Sequence, residues 1–216
     1  MIFNTDTAER IAENLLQIKA IKLNNSNPFI WASGLKSPIY CDNRIALSYP
    51  KIRTYIRQQL VKSIADSFGD VDIIAGVATA GIPQGMLVAQ EMGLPFIYVR
   101  ASAKSHGMTN KIEGVLQSGQ SVLVVEDLVS TGKSSLAAVD ALEAAGAKVK
   151  GMVSIFTYGL AIAEENFKKK SCKLVSLSDY EHLIKTGIAG NSISEKDQKS
   201  LLDWRKNPKA WSDKQK

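Results

Sequence analysis

Cysteine and histidine are scarce in this sequence, with two of each among 216 residues. Cys41 and Cys172 show no CxxC spacing, and only His106 and His182 could join them as ligands. A structural zinc site is therefore not expected. Two cysteines without such a pattern are typical of reduced thiols in a cytosolic protein.

Long apolar runs are also missing. Every hydrophobic stretch is shorter than the roughly 18 residues that a membrane span requires, and Asp6, Glu9 and Arg10 interrupt the N-terminal segment. We therefore expect a cytoplasmic protein with neither a membrane span nor a targeting segment.

The sequence has no long run of charges of one sign. It contains 27 Lys and Arg and 21 Asp and Glu, which give a net charge of +6. Such an excess would suit nucleic acid, an anionic membrane or small polyanionic substrates. The longest basic run, 168–170, is short and typical of a solvated helix end. We expect no nucleic-acid and no membrane partner.

The middle of the chain alternates between apolar runs and helical patterns, beginning at "DIIAGV". Continuous Val, Ile and Leu runs indicate strands that are covered on both faces, and helices between them imply right-handed parallel crossovers. The sequence therefore predicts an α/β fold with a doubly wound, mainly parallel sheet flanked by helices. One domain is expected over 1–216, with its core at about 46–180.

The flanking segments predict further elements. Residues 28–44 are rich in Pro, Gly and Ser around a short aromatic run, which indicates a small strand pair outside the core. With the C-terminal segment, about 1–45 would form a small N-terminal hood subdomain. Helical spacing predicts helices over about 6–22, with Asp6 and Glu9 as a capping box, and at 48–69, 160–169, 178–186 and 194–205.

The stretch "VEDLVSTGKSS", residues 125–135, contains the Gly-Lys-Ser that closes a P-loop. A P-loop has glycine where Asp127 stands, and an acid there would repel a triphosphate. Glu126 and Asp127 are instead predicted to finish a buried strand, followed by a turn whose amides converge at a helix beginning near Lys133. Such amides bind phosphate, and carboxylates accept hydrogen bonds from sugar hydroxyls, which together favour a phosphorylated ribose.

A plainer alternative remains at this point. Two acids can simply end a strand, and Ser130 or Thr131 can cap the following helix. The order of four apolar residues, two acids, a hydroxyl-rich turn and a helix makes that alternative weaker than it would be for an acid pair alone.

Residues 122–134, "VLVVEDLVSTGKS", resemble the phosphoribosyl pyrophosphate motif of the type I phosphoribosyltransferases. Further blocks are similar to the orotate branch of that family in order and spacing, and together they cover most of residues 10–205. These blocks are "WASGLKSPIYCDNR" at 31–44, "GVATAGIP" at 76–83, "YVRASAKSHG" at 98–107 and "IEG" at 112–114.

The resemblance implies a reaction and its partners. Ribose 5-phosphate would pass from phosphoribosyl pyrophosphate to N1 of orotate, giving orotidine 5'-monophosphate and pyrophosphate in UMP biosynthesis. Mg²⁺ would bridge the diphosphate and the ribose hydroxyls, held chiefly by substrate and water, so that no residue is assigned as a metal ligand. A homodimer with shared active sites is also implied.

The resemblance also implies residue roles. Lys104 and Asp127 would be catalytic, with Lys104 stabilising charge on the departing pyrophosphate from a mobile loop; composition alone would make that loop merely exposed and basic. The amides of 76–81 would face pyrophosphate, unless they form a plain turn. Orotate would contact Ser130, Tyr40 and Cys41. Phosphoribosyl pyrophosphate would contact Arg100, Lys104, His106, Glu126, Asp127, Leu128, Val129, Ser130, Thr131, Gly132, Lys133 and Ser134.

The sequence departs from the family pattern at four positions. Ala32, Ala80 and Ala101 stand where some members carry lysine, and Tyr158 stands where some place an arginine near orotate. Lys36 is a candidate to replace part of that charge. The alternatives are a purine phosphoribosyltransferase, which the hood motif disfavours, and a non-catalytic sensor of phosphoribosyl pyrophosphate, which the lysine-bearing loop disfavours.

Overall fold

The computed structural model describes residues 1–24, 26–31, 34–101 and 111–215, with only the backbone of 195 and 196. The helices are α1 Thr5–Gln17, α2 Pro50–Phe68, α3 Gly81–Met92, α4 Lys133–Ala144, α5 Ala161–Lys169, α6 Tyr180–Ala189, α7 Glu195–Lys206 and α8 Pro208–Asp213, with a 3-10 helix at Asn43–Ser48. The strands are β1 Ile21–Leu23, β2 Phe29–Ile30, β3 Lys36–Ser37, β4 Ile39–Cys41, β5 Ile73–Val77, β6 Phe96–Val99, β7 Ile112–Glu113, β8 Ser121–Val129, β9 Lys148–Thr157 and β10 Leu174–Asp179.

The central sheet has six strands in the order β10-β9-β8-β5-β6-β7. All neighbours are parallel except β6 and β7, which are antiparallel. The predicted α/β fold with a mainly parallel sheet is therefore confirmed. Since parallel strands all end at one edge of the sheet, the loops after β5, β6, β8 and β9 share that edge.

Strand β8 explains why the strands read as continuous apolar runs. Val122 and Val124 pack in the core on one face of the sheet, whereas Leu123 and Val125 pack in the core on the other face. All four side chains are fully buried. A strand that is covered on both faces has no position for a solvent-facing residue.

The N-terminal and C-terminal segments pack together beside this sheet. The predicted strand pair in the hood is confirmed, and the structure adds a second, because β1 pairs with β4 and β2 with β3, both antiparallel. The C-terminal helices hold β3 at its first residue. The Lys36 amide donates to Ser212 Oγ at 2.9 Å, and Trp204 Nε1 donates to the Lys36 carbonyl at 3.3 Å.

Two predictions for the N-terminal helix are wrong, and one helix near the C-terminus was not predicted. Helix α1 ends at Gln17, because Lys19 adopts φ 56° and the chain enters β1. Its N-cap is Asn4, whose side chain accepts from the Thr7 amide at 2.8 Å, so Asp6 and Glu9 form no capping box. Helix α8 was not predicted, although Asn207 and Pro208 provide an N-cap and an N1 proline.

The other predicted helices are confirmed with small shifts. Residues 48–69 contain α2, and 160–169 contain α5. Asp179 and Ser194 are the side-chain N-caps of α6 and α7. None of the helices in the described part of the chain has both the length and the apolar character that a membrane crossing needs.

Candidate active site

A cleft of about 680 Å³ opens at the carboxyl ends of β5, β8 and β9, between the sheet and the hood. We call its sheet side the strand wall and its hood side, with the residues after β9, the hood wall. The strand wall consists of Val77, Ala78, Thr79, Ala80, Glu126, Asp127, Leu128, Ser130, Thr131 and Ser134, and the hood wall consists of Ile30, Trp31, Leu35, Tyr40, Cys41, Asp42, Arg44, Tyr158 and Leu160.

The cleft opens where two neighbouring strands stop pairing. Strand β5 pairs with β8 as far as Val125, whereas β8 continues along β9 to Val129. The prediction that Glu126 and Asp127 finish the strand is therefore wrong, since both lie inside it. The acids lie where β8 has already lost β5 as a neighbour but still has β9, so a regular strand supports them from one side only.

The two carboxylates differ in their surroundings. Glu126 is buried, and its carboxylate accepts from the Asp127 amide and from Ser135 Oγ, both at 3.0 Å. Burial, reinforced by the neighbouring charge of Asp127, raises the pKa of Glu126 well above its usual value. Asp127 is partly exposed to the cleft, and burial raises its pKa as well. A buried pair of this kind would gain from positively charged or hydrogen-bond donating groups on the ligand.

The hood contacts the backbone beneath these acids. Asn43 Nδ2 donates to the Asp127 carbonyl at 2.7 Å. The Asn43 Oδ1 in turn lies 3.1 Å from Cys41 Sγ. Because Asn43 is buried, this chain of contacts fixes the distance between the two walls.

Helix α4 begins directly after the turn. Gly132 is its N-cap with φ 75°, and as a glycine it has no side chain that could cap the helix. Neither Ser130 nor Thr131 therefore fills the capping role of the plainer alternative. Within the described part of the chain, the amides of the first turn, in residues 133–135, have no hydrogen-bond partner and can meet an anion, which the helix dipole also favours there. Glycine is required at 132, since a Cβ would lie 2.7 Å from the Phe167 ring.

The structure brings most of the predicted residues to the cleft, but not all. Glu126, Asp127, Leu128, Ser130, Thr131, Ser134, Tyr40 and Cys41 line it. The Val129 side chain is fully buried in the core, and Lys133 lies in a separate groove beside α5. Gly132, the N-cap of α4, is not among the residues that line the cleft. Lys104 and His106 lie outside the described residues.

Arg100 lies at one end of the predicted loop. It lines a small cavity of about 90 Å³ with Ala78, Ala101 and Ser134, and it forms an ion pair with Glu113 at 3.3 Å. Because Ala78 and Ser134 line the main cleft too, this cavity adjoins it. Arg100 therefore lies next to the turn between β5 and α3.

The glycines of that turn are explained by packing. A Cβ on Gly81 would lie 2.6 Å from the Val125 carbonyl oxygen, and a Cβ on Gly76 would lie 2.9 Å from the Gly81 carbonyl oxygen. Helix α3 therefore begins against the backbone of β8 at Val125, the last residue of β8 that pairs with β5. Residues 77–80 are thereby held at the mouth of the cleft.

The hood wall is a mixture of aromatic and charged groups. Tyr40 is 38% exposed, and its ring lies 5.7 Å from that of Phe29. Cys41 is buried, and burial together with the carboxylates of Asp127 and Asp42 raises the pKa of its thiol well above the usual value. Cys41 is therefore a neutral thiol at pH 7 and no nucleophile.

Tyr158 belongs to a cluster of rings whose role the sequence did not reveal. Its ring lies 5.0 Å from Trp31, 5.6 Å from Trp204 and 6.3 Å from Tyr180. Trp204 is fully buried and comes from α7. The cluster thus joins the cleft to the C-terminal helices. Four aromatic residues in distant segments of the chain give no local sequence signal.

The candidate replacement for the missing lysines lies elsewhere. Lys36 Nζ contacts the Gln215 carbonyl near the C-terminus, and Lys36 does not line the cleft. Ala80 lines the strand wall, and Ala101 lines the adjoining cavity, while Ala32 lies outside the described residues. Of the basic side chains that the structure describes, Arg44 alone lines the main cleft.

Comparisons with known proteins agree with this geometry. The family model described as "Phosphoribosyl transferase domain" matches residues 48–189. The chain is 50% identical over 203 residues to the orotate phosphoribosyltransferase of Listeria monocytogenes serotype 4b, covering 94% of this chain and 97% of that protein.

Solved structures share the fold. The crystal structure of orotate phosphoribosyltransferase from Aeropyrum pernix is similar with a TM-score of 0.73 and 26% identity, covering 81% of this chain and 96% of that one. The Mycobacterium tuberculosis enzyme, solved in complex with 5-phospho-alpha-D-ribosyl 1-diphosphate, has a TM-score of 0.62 and 24% identity, covering 82% and 98%.

Proposed function

This chain belongs to the phosphoribosyl transferase domain family and, within it, to the orotate phosphoribosyltransferases, and from that premise we propose how its cleft works. Ribose 5-phosphate is transferred from phosphoribosyl pyrophosphate to orotate, giving orotidine 5'-monophosphate for pyrimidine biosynthesis. One observation carries the proposal. A pair of carboxylates and an uncapped helix start face a hood wall across a single cleft.

The strand wall binds the phosphorylated ribose in this proposal. The 5-phosphate meets the amides of residues 130–135 at the start of α4, where the glycine N-cap has no side chain to compete for them. Asp127 and Glu126 accept hydrogen bonds from the ribose hydroxyls, and Asp127, the more exposed of the two, makes the direct contact. Positive charge that develops on the ribose as its bond to pyrophosphate breaks is stabilised by these carboxylates.

Pyrophosphate leaves on the side of residues 77–80. Their small side chains let the diphosphate approach the backbone, and Arg100 lies in the adjoining cavity. We assign Lys104 and His106 to the same leaving group, with Lys104 as the catalytic cation. A loop that closes only over bound substrate would also exclude water from the reacting ribose.

The cleft suits Mg²⁺. Asp127 and Glu126 offer hard oxygen ligands next to the ribose hydroxyls, and burial has raised the pKa of both, so a nearby cation is favourable. When bound, Mg²⁺ would offset the charge of the diphosphate. Asp127 would hold the ion from the ribose side, directly or through water, while substrate oxygens supply most of its ligands.

The hood wall binds the base. Ser130 reaches orotate from the strand wall, while Tyr40 and Cys41 line the opposite side. Tyr158 closes the back of the slot as a neutral phenol, since burial raises the pKa of its hydroxyl well above the usual value. The division into a hood and a core, the cytoplasmic location and a homodimer are parts of the same proposal.

An absorbance assay tests the reaction. Orotate should disappear only when phosphoribosyl pyrophosphate and Mg²⁺ are both present, with one pyrophosphate released for each orotate lost. Adenine, hypoxanthine and guanine should be inert under the same conditions. Faster ribosylation of a purine than of orotate would overturn the assignment.

Mixed dimers test the sharing of active sites. If the loop of one chain covers the site of its neighbour, Lys104→Ala and Asp127→Asn homodimers are both nearly inactive, but their heterodimer keeps one intact site. Random exchange of subunits should then restore about a quarter of the unmutated activity. No recovery after demonstrated exchange would place Lys104 in its own chain's site.

A further inference from the structure

The charges that line the cleft do not match an anionic base. Asp42, Glu126 and Asp127 contribute three carboxylates, and Arg44 is the one basic side chain among the described lining residues. Orotate carries a carboxylate at neutral pH, so a site that prefers it over uracil needs a positive charge on the base side. Among the described residues, only Arg44 can supply it there.

The carboxylate of Asp42 binds one edge of the Arg44 guanidinium. Its Nε lies 2.6 Å from Asp42 Oδ1, and its Nη2 lies 2.9 Å from Asp42 Oδ2. A guanidinium has a second edge, formed by Nη1 and Nη2, which can bind another carboxylate through two parallel hydrogen bonds. No described residue occupies that second edge, and the Arg44 side chain is 57% exposed.

The position of Arg44 suits the base rather than the phosphates. It follows Tyr40 and Cys41 in the hood wall, and its charge acts on both Tyr40 and Asp127. Asp42 fixes the direction of the Arg44 side chain, because the Asp42 carboxylate also accepts a hydrogen bond from the Arg44 backbone amide at 3.2 Å. The helix start that suits a phosphate lies on the opposite wall.

We infer that the free edge of Arg44 binds the carboxylate of orotate and sets the preference of this site for a pyrimidine acid, with Asp42 positioning the guanidinium. The inference rests on the proposed function. Arginine is suited to this contact because its planar fork matches a carboxylate, which a lysine ammonium does not.

The test compares two nucleotides that differ only in the carboxylate. Orotidine 5'-monophosphate carries it and uridine 5'-monophosphate does not, so the ratio of their dissociation constants measures its contribution. The unmutated protein should bind orotidine 5'-monophosphate at least about 10-fold more tightly, as expected for a charged hydrogen-bonded pair. Arg44→Gln should remove most of that preference and leave the affinity for uridine 5'-monophosphate unchanged.

Kinetics give a second readout with a matched control. Arg44→Gln should raise the KM for orotate about 10- to 100-fold while the KM for phosphoribosyl pyrophosphate stays within about 2-fold. The KM for orotate of Arg44→Lys should lie between those of the unmutated protein and Arg44→Gln, because lysine keeps the charge but lacks the planar fork of arginine. Arg10→Gln removes the same charge from the exposed Arg10–Glu13 pair on α1 and should change neither KM.

Different failures are separable. If the unmutated protein consumes orotate but Arg44→Gln keeps the full preference for orotidine 5'-monophosphate, only the role of Arg44 is wrong. A rise in the KM for phosphoribosyl pyrophosphate instead of orotate would assign Arg44 to the diphosphate and also overturn the inference. Failure of the unmutated protein to use orotate would overturn the proposed function, and this inference with it.

Discussion

The strand wall of the cleft lies largely on β5 and β8, which have five and nine residues, whereas the strands that contribute to the hood wall, β2 and β4, have two and three. Long strands in the middle of a sheet are fixed by backbone hydrogen bonds on both sides. Strands of two or three residues are not stable alone, so side-chain contacts must hold them.

Those contacts come from distant parts of the chain. Trp31, Tyr158 and Trp204 pack in one ring cluster, although they belong to the hood, the end of β9 and α7. The strand wall, in contrast, comes from two contiguous segments around Val77 and Glu126. One wall depends on close backbone packing and the other on ring packing, and the two should therefore respond differently to substitution.

The largest effect is expected from Gly81→Ala in the strand wall. Its Cβ would lie 2.6 Å from the Val125 carbonyl oxygen, and neither backbone can move without disturbing the sheet. We expect a loss of about 3 kcal/mol in the free energy of unfolding, measured by urea denaturation. Gly93→Ala is the control, because its Cβ meets open space and only φ 65° opposes it, which costs about 1 kcal/mol. Equal losses would mean that close packing does not fix this wall.

Asp127→Asn should have an effect almost as large, but on the rate of the reaction instead of on the stability of the fold. The amide keeps the shape and loses the charge that faces the ribose, so kcat/KM should fall about 10²-fold, or about 2.7 kcal/mol. The fold should survive, since Asn43 binds the backbone carbonyl of residue 127 and not its side chain. Unchanged kinetics in a folded variant would reduce Asp127 to a strand residue without a role in catalysis.

Trp204→Phe tests the hood wall. The variant loses the hydrogen bond to the Lys36 carbonyl and leaves a gap against Trp31 and Tyr158, so we expect a loss of about 2 kcal/mol in stability. The KM for orotate should rise several-fold, with the KM for phosphoribosyl pyrophosphate unchanged. Trp211→Phe loses a similar hydrogen bond, to Ser200, and Trp211 makes none of the ring contacts described for this cluster, so the variant should affect stability alone. Matching kinetic changes in the two variants would contradict the separation of the walls.

The two walls also differ in how far the sequence predicts them. The strand wall could be predicted because its acids, turn and helix start are contiguous, and their order carries the chemistry. Even there the strand continues to Val129 because β9 pairs with it, which no local pattern shows. The ring cluster around Trp204 and the engagement of Lys36 by the C-terminus depend on contacts between distant segments, so the sequence could not reveal them.

Glu126→Gln is expected to have the smallest effect on stability near pH 4, and an effect that grows as pH rises. Glutamine can keep both contacts, accepting from the Asp127 amide and donating to Ser135 Oγ, which is also an acceptor. Burial raises the pKa of Glu126 in the folded state, so the folded protein binds this proton more tightly than the unfolded chain. The contribution of Glu126 to the free energy of unfolding of the unmutated protein is therefore fully present below the unfolded pKa of about 4.3. It is lost as pH rises through the folded pKa.

The substituted protein lacks that loss, because glutamine does not titrate. The two proteins should be about equally stable near pH 4, and Glu126→Gln should become the more stable one as pH rises toward 8, measured by urea denaturation at each pH. The activity of Glu126→Gln should fall further below that of the unmutated protein as pH rises, because only the ionised carboxylate stabilises the positive charge on the ribose in the transition state. A stability difference that stays constant between pH 4 and 8 would mean that burial does not hold a proton on Glu126, and both acids of the strand wall would then be ionised at neutral pH.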